Sequence, residues 1–179
     1  TTIVGAGTTS VTVTQAADDN YSSASATITL TVNKAAPTIS FADVTKTYGE
    51  AAFNLTATSS STGAFSYTIS DANVATVTGS TTTIVGAGTT TVTVSQVADD
   101  NYNSATATMT LTVSQADIAT ATVASIADQT YSGTAITISP TVTFNGSTVT
   151  ETTDYTVNFT NNTNAGTASL TLTGTGNFI

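Results

Sequence analysis

The chain has no cysteine, no histidine and no tryptophan, and its only basic residues are Lys34 and Lys46. Without thiol or imidazole, the most nucleophilic side chain and the commonest general base are missing, and no pair of acids recurs beside a base. Eleven acids against two bases give a net charge of −9 and a pI near 4.1. That balance repels phosphate backbones and anionic lipid surfaces, which excludes nucleic acid as a partner. No apolar run reaches the ~18 residues of a membrane span, and no basic stretch leads into an apolar one at the start, so neither a span nor a signal peptide is read here.

What the chain has in excess is threonine, 47 residues of 179. Its β-branched side chain suits a pleated sheet better than a helix. The apolar fraction is modest at 39%, but apolar residues alternate with Thr and Ser, so each strand can bury one face and wet the other. In "SATATMTLTV", Ala105, Ala107, Met109, Leu111 and Val113 share one face, while Thr106, Thr108, Thr110 and Thr112 share the other. A thin two-layer, all-β core follows, with no segment at helical spacing.

Residues 1–35 recur at 82–116, an offset of 81, with mismatches only at positions 10, 14, 16, 22, 25, 28, 33 and 34, so 27 of the 35 agree. A repeat this long and faithful reads as a tandem array of whole domains rather than a solenoid. Its period suits an immunoglobulin-sized sandwich. In the middle copy the alternation predicts strands at Thr38 to Phe41, Ala52 to Thr58, Phe65 to Ser70, Val74 to Thr78, Thr82 to Val85, Thr89 to Ser95 and Thr106 to Val113. A divergent third copy starts near Asp117. There "IADQTYSG" parallels "ADVTKTYG", and "NAGTASLTLTGTGNF" parallels "GAGTTTVTVSQVADDNY" with two residues deleted. Asn145-Gly146 between β-rich flanks predicts a hairpin. The alignment leads us to expect that the first copy lacks its opening strands, that the third lacks its last strand, and that the chain is a window onto a longer protein.

"TIVGAGTT", at Thr2 and again at Thr83, has the look of a dinucleotide-binding start. That site needs a third glycine and a helix, whereas Ser10 and Thr91 stand at the third position and alternating "VTVTQ" and "VTVSQ" follow. Gly5, Gly7, Gly86 and Gly88, with Asn164 and Gly166 in the third copy, therefore read as turns, Asn164 replacing Gly86 through a shared tolerance of positive φ.

The recurring "ADDNY" puts Asp18, Asp19 and Asn20, then Asp99, Asp100 and Asn101, at equivalent bends. These read either as turns closed by their own Asx side chains or as a Ca²⁺ site completed by other loops. No Asp-x-Asp-x-Asp-Gly loop is present, and the third copy has "GTGNF" without a carboxylate. No other cofactor is expected. Tyr21, Tyr102 and Phe178 after these bends, and Tyr48 and Tyr131 early in their copies, are expected to be buried anchors rather than a platform for sugars. Thr-x-Thr ladders space hydroxyls by about 7 Å, as ice-binding faces do, though twisted sheets commonly carry solvated Thr. A Lys–Asn isopeptide bond would need Lys34 or Lys46, and Lys34 becomes Gln115 in the next copy. Asn-x-Ser/Thr sequons such as Asn54-Leu55-Thr56 arise by chance in so Thr-rich a chain.

With "KTYGEAAFNLTATS" before it and "ADDNYNSATATMTLTV" after it, "YTISDANVATVTGSTTTIVGAGTTTVTVS" (residues 67–95) resembles bacterial immunoglobulin-like repeats of the MBG, YG-containing and group-2 types. "YSGTAITISPTVTFNGSTVTETTDYTVNFTNNTNAGTASLTLTGTGNF" is similar to another repeat of the same large surface proteins. The resemblance implies tandem immunoglobulin-like β-sandwich domains in an elongated array: residues 1–34, the end of one repeat; 35–116, a complete repeat; and 117–179, a divergent repeat without its last strand. It implies a non-enzymatic, extracellular stalk or filament of a giant bacterial adhesin, its partners being neighbouring repeats and an unidentified surface ligand. The alternatives are a binding module for glycan, mineral or ice, and a spacer in a secreted multidomain enzyme.

Overall fold

In the computed structural model, residues 2–179 are described. They form β1 (Gly7–Gln15), β2 (Ala24–Val32), β3 (Ile39–Ser40), β4 (Val44–Thr47), β5 (Phe53–Asn54), β6 (Thr58–Ser59), β7 (Phe65–Ile69) and β8 (Ala75–Thr78). There follow β9 (Thr81–Ile84), β10 (Gly88–Gln96), β11 (Ala105–Ser114), β12 (Thr122–Val123), β13 (Val142–Phe144), β14 (Ser147–Val149), β15 (Tyr155–Thr160) and β16 (Ser169–Gly174). The only helical element among the described residues is a 3₁₀ turn, Ile118–Thr120, capped by the Asp117 carboxylate on the Ala119 amide. The molecule is all-β with several sheets, the largest ordered β4-β11-β10-β7, consistent with a β-sandwich. No helix among the described residues is long and apolar enough to cross a membrane.

Burial follows the two-residue alternation. Met109, Leu111 and Val113 of β11 are buried while Thr106, Thr108 and Thr110 are exposed, and Thr90, Val92, Val94 and Gln96 form the buried face of β10.

The chain divides into two compact units that cut across the 81-residue register. One takes residues up to Phe41 with Thr56–Tyr67 and Thr93–Thr108. In it β1 and β2 form an antiparallel ribbon, registered from Gly7↔Val32 to Gln15↔Ala24. That register lines Thr8, Ser10, Thr12 and Thr14 against Thr31, Thr29, Thr27 and Ser25, with the Thr12 and Thr27 hydroxyls 3.0 Å apart. The opposite face is also open, Val13 and Ile28 remaining about two-thirds exposed (69% and 66%). Tyr21, at 69% exposure, is not the expected buried anchor, because β1 and β2 form a two-stranded sheet with both faces open. The same unit holds the β3–β6 pair and a buried Gln96, whose amide donates to the Ser61 and Gly63 carbonyls and accepts from the Ser59 hydroxyl.

The other unit takes Ala42–Leu55, Thr68–Val92 and Met109–Ile179. Here β4 runs parallel to β11 with Leu111↔Val44 to Ser114↔Thr47 in register, a strand the alternation did not predict. The predicted single strand Ala52 to Thr58 is instead two: β5 pairs with β9 and β6 with β3. Buried Leu55 lies between them, its amide on the Ser80 carbonyl. Asn145-Gly146 closes the β13–β14 hairpin with φ of 49° and 79°, the pair of positive angles that its tight turn requires. Ala116, Ile118, Val142, Val149, Tyr155 and Phe178 form one apolar cluster, with Tyr48 and Phe144 packed on it. Burial pushes the Tyr155 hydroxyl above its ordinary pKa, and the group donates to the Pro140 carbonyl. Tyr131 is 63% exposed, contrary to expectation. It lies in a segment between β12 and β13 that makes no strand and lines an open groove of about 600 Å³ with Ile136, Ile138, Phe159 and Leu170.

Candidate functional site

The "ADDNY" bend is built around one carboxylate. Asp99 Oδ1 accepts the Asn101 and Tyr102 amides at 2.9 and 2.8 Å, closing the turn locally. Its Oδ2 accepts the Thr62 amide and the Ser61 and Thr62 hydroxyls at 2.8–3.0 Å. The Thr62 amide, the Ser61 hydroxyl and the turn amides together hold this acid well below the usual carboxylate range. Asp18 repeats the first half of the arrangement, its Oδ1 accepting the Asn20 and Tyr21 amides. These carboxylates face donors, so a cation at Asp99 would have to displace five hydrogen bonds. Among the described residues no three His, Cys, Asp or Glu side chains gather as metal ligands.

The turn leaves Asn101 pointing away from the carboxylate, and this residue carries the feature that repeats. Asn101 Oδ1 accepts the Ala6 amide at 2.8 Å, inside the Gly5-Ala6-Gly7 bend of the first copy. Its backbone carbonyl accepts the Ala35 amide, the Ala35 carbonyl accepts the Asn103 amide, and Ala35 forms a parallel bridge with Tyr102. Lys34 Nζ donates to the Asp99 carbonyl, and Asn103 Nδ2 to the Lys34 carbonyl.

The same set recurs one copy on, within the other unit. Asn177 Oδ1 accepts the Ala87 amide at 2.8 Å, inside Gly86-Ala87-Gly88. The Asn177 carbonyl accepts the Ala116 amide, Ile179 donates to the Ala116 carbonyl, and Ala116 bridges Phe178 in parallel. Gln115, at the place of Lys34, reaches the Gly176 and Phe178 carbonyls with its side-chain amide. Here the turn has no carboxylate: Phe178 N–H closes on the Thr175 carbonyl, and Gly176 takes φ of 59°, which glycine adopts without a side-chain clash. The aspartates are thus replaceable by a glycine turn, while the asparagine and the alanine recur in both sets of contacts.

The glycine bends run strand to bend to strand. β9 ends at Ile84, the chain bends at Gly86 and Ala87, and β10 begins at Gly88. No helix follows to cradle a phosphate. A Cβ on Gly5 would lie 3.0 Å from Asn101 Oδ1, and one on Gly86 would lie 2.7 Å from the Asn73 carbonyl and 3.2 Å from Asn177 Oδ1. The first glycine therefore admits the neighbouring bend. Left-handed φ belongs instead to the second glycine: 145° at Gly7, 149° at Gly88 and 138° at Gly166. Asn164 and Gly86 both have ordinary φ, so shared tolerance of positive φ does not explain that exchange. Asn164 is exposed in a bend, where no close approach calls for a glycine.

The second junction carries an additional contact from the "YG" pair. The Tyr48 ring stacks on Phe144 at 6.2 Å and meets Phe178 edge-on at 5.5 Å. Gly49, at φ of 86°, lies under the Phe144 ring, 2.3 Å from where a Cβ would stand, and its carbonyl accepts Asn145 Nδ2. The lysines have other partners than an Asn side chain: Lys34 as above, and Lys46 on Glu50 at 2.9 Å with Phe53 beneath it at 5.2 Å. The sequence placed Asn101 among cation candidates and did not single out Asn177 or Ala35. The signal was present in the asparagine shared by "DDNY" and "GNF", while the aspartates are not shared. Compared with known proteins, the chain matches no family model, no curated sequence and no solved structure.

Proposed function

We propose that the chain is a stretch of a tandem array of immunoglobulin-like β-sandwiches, divided at 1–34, 35–116 and 117–179. The array serves as the extracellular stalk of a large bacterial surface adhesin and holds a distal binding region away from the cell. The observation that carries this reading is the repeated junction, in which one copy's Asn side chain binds the glycine bend of the preceding copy and the linker alanine pairs with the aromatic that follows that Asn. A chain selected for reach needs such a joint, because folded modules on loose linkers behave as a coil whose span grows only as the square root of length. The scarcity of charge, the lack of thiols and imidazoles, and among the described residues the lack of any three acids gathered as metal ligands suit a non-catalytic, cofactor-free role.

Small-angle scattering on chains with residues 35–115 duplicated once and twice tests the reading. A stalk adds a constant increment to the maximum dimension, about 35 Å per copy for strands of about ten residues. Increments that shrink with each copy would sink it. A second reading, recognition of an ordered surface such as ice or glycan, is favoured only by the exposed Thr array on β1 and β2. Ice-recrystallisation and glycan-array assays address it.

A further inference from the structure

We infer that Asn145-Gly146 is a self-modifying site, at which slow deamidation of Asn145 releases a hydrogen-bonded latch on the Tyr48-Gly49 turn; the inference is independent of the stalk reading. The hairpin turn needs positive φ at both central residues, and these are 49° and 79°. Asn-Gly and Asp-Gly meet that need equally, so the turn alone does not call for an amide. The amide has a separate partner. Asn145 Nδ2 donates to the Gly49 carbonyl at 2.9 Å, beside the stacked rings of Tyr48 and Phe144. An ionised aspartate has no donor to offer there.

The same dipeptide is the one in this chain most prone to lose that donor. Asn145 is the only asparagine followed by glycine, it is exposed, and Gly146, having no side chain, leaves its backbone nitrogen open to close approach. That nitrogen, whose N–H has no acceptor among the described residues, gives up its proton and attacks Asn145 Cγ. The N–Cγ bond forms, the Cγ–Nδ2 bond breaks, and Nδ2 leaves with the proton as ammonia. Water then opens the cyclic imide at either carbonyl, giving aspartate or its β-linked isomer. While the latch is closed, its hydrogen bond holds the carboxamide on Gly49 and away from the attacking nitrogen. Once the acid has formed, a carboxylate oxygen faces the Gly49 carbonyl oxygen, two acceptors with no proton between them, and closing the contact is penalised. Both lysines are engaged elsewhere, Lys46 on Glu50 and Lys34 on the Asp99 carbonyl, so neither offsets the new charge. Opening speeds the reaction, and the reaction prevents closing.

Ageing the whole chain at neutral pH and mapping its peptides by mass spectrometry tests the inference. Asn145 is expected to show the mass gain of an amide-to-acid change several-fold faster than Asn103, which precedes Ser104, and to yield both aspartate and the β-linked isomer. Gly49→Ala, which sets a Cβ against Phe144 and Asn145 Nδ2 at a φ of 86°, should speed the reaction several-fold. If that variant does not fold, Glu50→Ala takes its place, since it loosens the same turn from an exposed position by removing the contacts with the Thr47 amide and Lys46. Asn145→Asp should keep the cross-strand contacts of β13 and β14 and weaken those between the Tyr48 and Phe144 rings, as read by NMR. Any one of three results would overturn the inference: an Asn145 rate no greater than that of Asn103, a rate unmoved by the loosened latch, or Tyr48–Phe144 contacts intact in Asn145→Asp.

Discussion

At the scale of single residues, an asparagine carries the most consequence for its size. The Asn177 side chain satisfies an amide, Ala87 N–H, that is part-buried in a glycine bend, and a hydrogen bond of this kind contributes about 0.5–1.5 kcal/mol. Asn177→Ala is expected to speed amide exchange at Ala87 by about fivefold, the equivalent of ~1 kcal/mol, and to leave amides in β1 and β2 unchanged. Amide exchange followed by NMR checks it, and an unaltered Ala87 rate would show that the contact carries no weight. Asp99 gives a prediction with a sign. Its folded-state pKa lies below the ordinary 3.8, so its stabilisation is present above that value and is lost as pH falls through the folded-state value. Melting temperature should therefore drop with acidification below pH 3.8, and Asp99→Asn should start lower at neutral pH and show a shallower acid slope. The Asp99 turn could be read from the sequence because an Asx side chain acts two or three residues away. The asparagine junction could not, because its partner stands 95 residues distant for Asn101 and 90 for Asn177.

Among elements, β10 and β11 were legible because nine or ten residues of strict alternation leave one solution for which face goes inward. Leu111 is fully buried on that face, and Leu111→Ala should cost about 2–5 kcal/mol. Thr108→Ala on the exposed face should change stability by no more than about 0.5 kcal/mol. Urea denaturation of both variants tests the assignment, and comparable losses would contradict it. β4 was not legible. "VTKT" is too short for its alternation to stand out, and what makes it a strand is the β11 edge it lies against. The run Ala52 to Thr58 misled for the opposite reason: its pattern is continuous, but Leu55 marks a change of partners from β9 to β3. Local pattern specifies which residues point inward, and tertiary partners decide where a strand stops.

At the scale of the whole molecule, the sequence repeat has a counterpart in the contacts that Asn101 and Asn177 each make with a glycine bend. The aromatics expected in cores separate along that line. Tyr48 and Phe178 are packed at the second junction, whereas Tyr21 and Tyr131, which lack an adjoining layer, stay exposed. Burial of these rings follows from the neighbour as much as from the copy that contains them, and a single copy read alone does not reveal it. The proposed stalk requires that consecutive copies be locked through their bends. The most direct measurement places spin labels at Thr9→Cys on β1 and Thr106→Cys on β11, both exposed positions, and reads their separation by pulsed electron resonance. A locked junction predicts one narrow distance distribution that broadens when Asn101→Ala is added. A broad distribution in the parent chain, unchanged by Asn101→Ala, would show that the copies are not locked.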